Sequence, residues 1–199
     1  NRATKGVYEF GSVFKTFTVA AGFNENLIEP NTEYLNLKKQ IECNGFSIRE
    51  YSEKTPTNLT VEEILIRSGN IGSVRIGQKI GEEKFKSFLK KIGVQGTIDF
   101  DIQEVGKPTP INWGKCKLAT VSYGHGITTT LLQLAKGYSI VTNGGYDINP
   151  TLIQKKITQK HSQKRILNIG VSNKVNKILR KIVTNKEGTA ELANVKGYE

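Results

Sequence analysis

The stretch YEFGSVFKTFTVAAGF, residues 8–23, gives the clearest indication of the fold of this chain. Its apolar side chains recur at the spacing of a helix that turns one face to the core. Gly11 and Ser12 come directly before them, and serine is common at a helix N-terminus. We therefore predict a buried helix over residues 11–23, with an apolar face made of Val13, Phe14, Phe17, Ala20 and Ala21.

The first turn of this helix contains Ser12 and, three positions later, Lys15, so the two side chains share one helix face. A serine hydroxyl is a poor nucleophile unless a nearby base takes its proton. Lysine is normally protonated, with a reference pKa of about 10.4, but burial and the positive end of a helix both disfavour its charged form. The spacing fits a serine nucleophile with a lysine base, and it also fits Ser12 as a simple helix cap.

The composition is that of an ordinary globular protein. Hydrophobic residues make up 37% of the 199 residues and charged residues 24%, which excludes a disordered tail, a collagen-like chain or a small disulfide scaffold. No stretch approaches the roughly 18 consecutive apolar residues that a membrane span requires. The chain begins with Asn1 and contains no methionine, so we expect it to be an excerpt from a longer protein.

The formal net charge is +11, from 29 Lys+Arg and 18 Asp+Glu, and such a surplus attracts polyanions. The basic residues are interspersed with apolar positions at helical spacing, however, which is typical of solvated helix faces. No zinc finger, basic zipper or aromatic RNA-binding signature accompanies them. We therefore expect no nucleic-acid partner, and a non-enzymatic polyanion-binding module is the alternative of a different class.

Other local signals predict a hairpin and further helices. Residues 34–52 alternate between apolar and polar around an Asn-Gly pair, which predicts a two-stranded hairpin. Thr60 and Glu63 form a capping box, which predicts a helix that ends near residue 68. The remaining predictions are helices over about 82–92 and 131–141, a helix that starts at Ser172, and an irregular connection over 94–117.

Cys43 and Cys116 are widely spaced, and neither lies in a Cys-x-x-Cys or Cys/His cluster. They either form one disulfide in an oxidising compartment or stay two partly buried thiols. His125 and His161 are the only histidines, which leaves very few ligands for a catalytic metal. We therefore expect neither a metal nor a cofactor.

Three segments resemble one known family, in the family's order. Residues 8–23 resemble the active-serine region of the class B penicillin-binding proteins, the D,D-transpeptidases that cross-link peptidoglycan. RSGNIGSVRIG (67–77) resembles their second motif, Ser-x-Asn, here Ser68-Gly69-Asn70. SYGHGITTTLLQLAKGYSIVTNGGYDINPTLI (122–153) resembles the glycine-rich turn, helix and Gly-Gly loop that follow. Within the class, the second and third segments are more similar to the septal, division-associated type.

The resemblance implies a serine acyl-enzyme. Ser12 would attack the carbonyl of a stem peptide ending in D-Ala-D-Ala, and Lys15 would take the serine proton. Ser68 would relay a proton towards the leaving group, while Asn70 would hydrogen-bond the substrate amide and steady Lys15. The backbone N–H of Ser12 would form half of an oxyanion hole. β-Lactam antibiotics would acylate the same serine.

The family fold packs a five-stranded antiparallel sheet against helices, with a helical lobe beside it and the active site between them. The resemblance therefore implies an α+β fold in which residues 1–199 form a partial transpeptidase domain, predominantly helical with a small hairpin. The third family motif, Lys-Thr-Gly or Lys-Ser-Gly, does not occur in this chain. We expect the chain to start after the family's first strands and to stop shortly before the strand that carries this motif.

The family also implies an N-terminal membrane anchor, absent from this chain, and a catalytic domain on the periplasmic, extracytoplasmic side of the bacterial inner membrane. The implied partners are stem peptides, β-lactams, a membrane glycosyltransferase and other divisome proteins. A β-lactam sensor or a serine β-lactamase would share the Ser12/Lys15 arrangement. No Glu-x-x-x-Asn-like segment follows Asn70 to supply a β-lactamase with its deacylating base.

Overall fold

The computed structural model describes residues 1–154 and 164–197 of the chain. Helices dominate these residues, and short strands pair two by two in antiparallel fashion, so the prediction of a predominantly helical α+β chain with a small hairpin is confirmed. The helices are α1 (Lys15–Asn24), α2 (Val61–Ile66), α3 (Asn70–Ile80), α4 (Glu82–Lys91), α5 (Lys117–Ser122), α6 (Leu131–Thr142) and α7 (Ile169–Thr184). The strand pairs are β1 (Val7–Tyr8) with β6 (Thr129–Thr130), β2 (Glu33–Tyr34) with β5 (Leu59–Thr60), and β3 (Gln40–Cys43) with β4 (Phe46–Arg49).

Helix α1 runs through the centre of the core. Every residue from Lys15 to Phe23 is buried, because helices α2, α3, α4 and α7 pack around α1. The helix predicted over residues 11–23 is present in two parts, since Gly11–Phe14 form a tighter 3-10 turn and α1 continues from Lys15. The exposed Ser12 therefore lies at the entrance to the most buried helix of the fold.

Helix α2 begins with the predicted capping box. The Thr60 hydroxyl accepts a hydrogen bond from the Glu63 N–H at 3.2 Å, and the Glu63 carboxylate accepts one from the Thr60 N–H at 2.8 Å. Helix α2 ends at Ile66, close to the predicted end. No helix is predicted from the sequence over residues 70–80, yet α3 begins at Asn70, directly after the short turn of residues 67–69 that follows α2.

Two glycines explain why α3 has no clear signal in the sequence. Each glycine lowers helix propensity by about 1 kcal/mol relative to alanine. In the fold, a Cβ on Gly72 would collide with Ile64 of α2, and a Cβ on Gly77 would collide with Ser122 of α5. The close packing of α3 against two other helices therefore requires the same residues that weaken its local signal.

Helix α7 begins at Ile169, so the prediction of a start at Ser172 is wrong. Asn168 caps α7 by accepting a hydrogen bond from the Gly170 N–H at 2.8 Å. Ser172 is buried inside the helix, where its hydroxyl accepts from the Gly144 N–H at 2.9 Å. A serine that hydrogen-bonds to a distant loop cannot be distinguished in the sequence from a serine that caps a helix. The sequence pattern therefore misplaces the start of α7.

Cys43 and Cys116 form a disulfide with their Cα atoms 5.7 Å apart, so the alternative of two free thiols is wrong. The bond joins the end of β3 to the residue before α5, which lies at the end of the irregular connection predicted over 94–117. The hairpin β3–β4 is therefore fastened to the helical body. Within residues 1–154 and 164–197, none of the helices combines the length and apolar character needed to cross a membrane.

Candidate active site

Lys15 lies at the centre of the candidate active site, and only 1% of its surface is exposed. Its Nζ atom is 3.1 Å from Ser12 Oγ, 2.9 Å from Ser68 Oγ and 2.7 Å from Asn70 Oδ1. Nζ also donates to the backbone carbonyl of Ser68 at 2.5 Å. The structure thus brings all four residues singled out in the sequence together around one amine.

Ser12 is exposed, whereas Lys15 directly below it is buried. The N-cap residues of the 3-10 turn and of α1 are Phe10 and Phe14, and neither makes a side-chain capping bond. The Ser12 hydroxyl contacts the Lys15 amine instead, so the alternative of Ser12 as a simple helix cap is wrong. A substrate can reach this hydroxyl from solvent, and a base can reach it from the core.

Ser68 has a left-handed backbone, with a φ of 56°, which costs a residue with a Cβ about 1–2 kcal/mol. Hydrogen bonds hold the turn in this form, from the Ser68 N–H to the Leu65 carbonyl at 3.2 Å and from the Gly69 N–H to the Ile64 carbonyl at 2.8 Å. In this conformation the hydroxyl and the carbonyl of Ser68 both contact Lys15. The strained residue is thus one that makes two of the contacts to the amine.

Asn70 is held at both ends of its side-chain amide. Oδ1 accepts from Lys15, and Nδ2 donates to the backbone carbonyl of Arg49 at 2.8 Å. The hydrogen bond from Lys15 Nζ to Asn70 Oδ1 is a direct contact through which Asn70 can hold Lys15 in place, as expected. An amide NH2 group has two N–H donors, so one can bind the Arg49 carbonyl while the other remains available for the substrate amide. The contact between Asn70 and the substrate stays a prediction.

Burial lowers the pKa of Lys15 to about 8, and the nearby Glu50 carboxylate opposes this shift by favouring the charged amine. At pH 7 about one Lys15 in ten is then neutral, compared with about one in 3,000 for an ordinary lysine. A neutral amine has two N–H donors and one lone pair. Ser68 and Asn70 offer three oxygens to the two N–H groups, which leaves the lone pair for the Ser12 proton.

Glu9 is a neighbour of the site that has no signal in the sequence. Its carboxylate accepts from the Gly126 N–H at 2.8 Å and lies 2.8 Å from His125 Nδ1. These contacts join the segment before Ser12 to the turn after α5. The turn passes so close to the carbonyl of Gly11 that a Cβ on Gly124, whose φ is +90°, would collide with it.

Glu50 is a second such neighbour, and it lies directly after β4. Its two carboxylate oxygens accept from the backbone N–H groups of Asn70 and Ile71, each at 2.8 Å. The partners are 20 and 21 positions away, so no local pattern predicts the contact. The signal that a sequence offers here is only an acidic residue at the end of a predicted hairpin.

In the part of the chain that the structure describes, no group of three or more His, Cys, Asp or Glu side chains is placed to hold a metal ion. Both cysteines are used in the disulfide. His161 lies outside the described residues.

The whole chain, residues 1–199, matches the family model described as the penicillin binding protein transpeptidase domain. The chain therefore belongs to this family, and the resemblance to class B penicillin-binding proteins that residues 8–23 first indicated is confirmed.

Two curated relatives span nearly the whole chain. The probable peptidoglycan D,D-transpeptidase FtsI of Caulobacter vibrioides is 28% identical over 99% of this chain and 33% of its own length. The stage V sporulation protein D of Bacillus subtilis is 28% identical over 96% of this chain and 31% of its own length. The chain therefore spans about a third of the length of these relatives.

The fold is that of solved transpeptidase domains. The transpeptidase domain of penicillin-binding protein 3 from Burkholderia pseudomallei superposes with a TM-score of 0.91 and 26% identity, over 100% of this chain and 60% of that chain. The penicillin-recognising α+β fold expected from the sequence is thereby confirmed.

Proposed function

We propose that this chain is part of a peptidoglycan D,D-transpeptidase that works through an acyl-enzyme on Ser12, and that residues 1–199 supply the active-serine helix and the helical lobe of its transpeptidase domain. The observation that carries the proposal is the buried Lys15 amine 3.1 Å from Ser12 Oγ, with Ser68 and Asn70 bound to the same amine. The family and the relative named as a D,D-transpeptidase support it.

Acylation begins when Ser12 Oγ attacks the carbonyl carbon of the penultimate D-Ala in a stem peptide, while neutral Lys15 takes the hydroxyl proton. The carbonyl electron pair moves onto oxygen, where the Ser12 backbone N–H stabilises the negative charge. The C–N bond to the terminal D-Ala then breaks, and its nitrogen receives a proton from Lys15 through the Ser68 hydroxyl. Free D-Ala leaves, and Ser12 holds the peptide as an ester.

Transfer reverses these roles. The amine of a second stem peptide attacks the ester carbon, Lys15 takes the amine proton, and Ser12 Oγ leaves with a proton from Lys15. The products are a cross-linked peptide and the enzyme with its Ser12 hydroxyl regenerated. A β-lactam enters the same first step, but its leaving nitrogen stays tethered in the opened ring.

We infer that the parent protein works in septal wall synthesis, beside a membrane glycosyltransferase and other divisome proteins. An N-terminal segment anchors the parent protein in the membrane, and its catalytic domain lies on the extracytoplasmic side. The relative named FtsI supports the division role. The Cys43–Cys116 disulfide supports the location, because disulfides persist in oxidising compartments.

The test is the intact mass of the full-length protein after incubation with benzylpenicillin. We expect a gain of one penicilloyl group in the wild type and none in Ser12→Ala. The matched control is Ser47→Ala, which removes an exposed serine on β4 and should keep the full gain. A wild-type protein that gains no mass would overturn the proposal.

A second assay separates the related functions. A transpeptidase keeps its penicilloyl adduct and also transfers a D-Ala-D-Ala pentapeptide onto a fluorescent D-amino acid. Rapid loss of the adduct with turnover of penicillin would indicate a β-lactamase, and a stable adduct without transfer would indicate a β-lactam sensor. Binding to a polyanion that weakens steeply with salt and is unchanged by Ser12→Ala would indicate the non-enzymatic module.

A further inference from the structure

The N-terminus of α3 is capped by a residue from outside the helix. The first N–H groups of a helix have no partner within it, and the residue before α3 is Gly69, which has no side chain to cap them. The Glu50 carboxylate takes this place, with one oxygen on the Asn70 N–H and the other on the Ile71 N–H, each at 2.8 Å. A negative charge at a helix N-terminus is also favourable because of the helix dipole.

The hairpin that ends at Glu50 holds Asn70 in a second way. The backbone carbonyl of Arg49 accepts from Asn70 Nδ2 at 2.8 Å, which fixes the orientation of the amide. The opposite end, Oδ1, then points to Lys15 Nζ at 2.7 Å. A chain of contacts therefore runs from Glu50 through Asn70 to Lys15 and on to Ser12.

The hairpin is well placed to act as a support. Ile48 of β4 is buried, and the disulfide fastens Cys43 of β3 to Cys116 beside α5. Helix α5 in turn packs against α3. Glu50 therefore extends from a segment that is tied to the same body as the helix that it caps.

We propose that Glu50 is a positioning residue for the acylation of Ser12, which holds Asn70 and, through Asn70, the Lys15 amine that faces the serine. This inference rests on the proposed function. Glu50 does not touch the reacting atoms, so its effect is carried by the geometry of Asn70 and by the charge that it places near the amine.

The charge gives the proposal a signature that simple structural support lacks. Ser12, Ser68 and Asn70, which contact the amine, are all uncharged, and Glu50 is the charged group whose field raises the pKa of Lys15 against the effect of burial. Acylation by a neutral lysine rises with pH up to a plateau. Loss of the Glu50 charge must therefore move the midpoint of this rise to lower pH.

The experiment measures the rate of acylation of the full-length protein by benzylpenicillin between pH 6 and pH 9.5, in wild type, Glu50→Gln, Glu50→Asp and Glu50→Ala. Glu50→Gln keeps the shape and one acceptor oxygen but loses the charge, so its midpoint falls below that of the wild type. Glu50→Asp keeps the charge, so its midpoint stays at the wild-type pH. Glu50→Ala loses the cap as well, and its plateau rate falls on the order of 10- to 100-fold, since the backbone N–H groups of Asn70 and Ile71 lose the carboxylate that positions the start of α3.

The matched control is Glu53→Gln, which removes an exposed carboxylate three positions further along the chain and should leave both midpoint and plateau at the wild-type values. Glu50→Gln with a lower plateau and an unmoved midpoint would overturn the proposal, because Glu50 would then support the helix without acting on Lys15. Equal shifts in Glu50→Gln and Glu53→Gln would also overturn it.

A second measurement needs no acylation. NMR spectra report the charge of the amine directly through the pH titration of the Lys15 13Cε resonance. The resonance is identified as the one that disappears in Lys15→Arg. We expect a lower midpoint in Glu50→Gln than in Glu53→Gln, and equal midpoints would overturn the inference. A wild-type protein that takes no penicilloyl group, while Lys15 still responds to Glu50, would overturn the proposed function and with it any role of Glu50 in acylation.

Discussion

The two halves of the site are built in different ways. In the first half, Ser12 and Lys15 are three positions apart in consecutive turns, and α1 itself carries the lysine into the core. The second half joins the end of α2, the start of α3 and residues 49–50 of the hairpin, which meet only in the folded chain. Ser68 and Asn70 lie 53 and 55 positions from the lysine that they contact.

This difference separates two properties of the catalytic pair. Local geometry brings the nucleophile and its base within reach of each other, and it needs only one helical turn. The chemical state of the base depends on burial and on distant partners. Substitutions and pH changes that act on one half at a time can therefore test this separation.

Lys15→Met removes the base from the local half and keeps the second half in place. Methionine has a similar length and no charge, so the core stays filled. We expect acylation by benzylpenicillin to slow by about 10² to 10⁴-fold, or about 3–5 kcal/mol. The measurement is the rate of mass gain. Lys79→Met, at an exposed position in the last turn of α3, is the control and should keep the wild-type rate. Acylation of Lys15→Met at the wild-type rate would show that the base is another group.

The double variant Cys43→Ala/Cys116→Ala tests how firmly the second half is fastened. The disulfide spans 73 positions, and loss of a cross-link of this size costs about 2–4 kcal/mol of unfolding free energy. Urea denaturation should show this loss in the variant and the same loss in reduced wild type. A reducing agent should have no effect on the variant, and a variant as stable as the oxidised wild type would mean that packing alone holds the hairpin.

The pH dependence of stability should report the burial of Lys15. Between about pH 8 and pH 10.5 the folded chain has lost the Lys15 proton while the unfolded chain still binds it, so stability rises with pH. Relative to Lys15→Met, the wild type should gain at most about 3 kcal/mol over this window. Urea unfolding at several pH values gives the difference in unfolding free energy between the wild type and Lys15→Met. The contribution of tyrosine titration is common to both proteins and cancels in this difference. A constant difference would contradict a lowered pKa.

Ser68→Gly and Ser68→Ala separate the strain of the second half from its chemistry. Both remove the hydroxyl, but only glycine adopts the left-handed φ at low cost. We expect the glycine variant to be more stable than the alanine variant by about 1 kcal/mol, and both to be acylated more slowly than wild type. Thermal or urea unfolding measures the first effect. Equal stabilities would contradict the left-handed backbone at this position.

Local signals in the sequence account for the elements that were predicted well. The capping box of Thr60 and Glu63 and the apolar spacing in α1 depend on residues within one or two turns. Helix α3 has no such signal, because the glycines that weaken its propensity are required by its contacts with α2 and α5. The predicted helix start at Ser172 is wrong for a related reason, since the Ser172 hydroxyl accepts from Gly144, which is remote in the sequence.

The same division holds within the site. The family motifs in the sequence single out Ser12, Lys15, Ser68 and Asn70, and the structure adds Glu50 and Glu9, which no pattern distinguishes from ordinary surface carboxylates. Residues 8–23 are enough to predict the helical segment that contains Ser12 and Lys15 and the three-residue spacing between them, because neighbouring turns of backbone set both. The pairing of the cysteines, the capping of α3 by the hairpin and the lowered pKa of Lys15 follow only from the folded chain, because burial and electrostatic fields depend on which distant segments pack together.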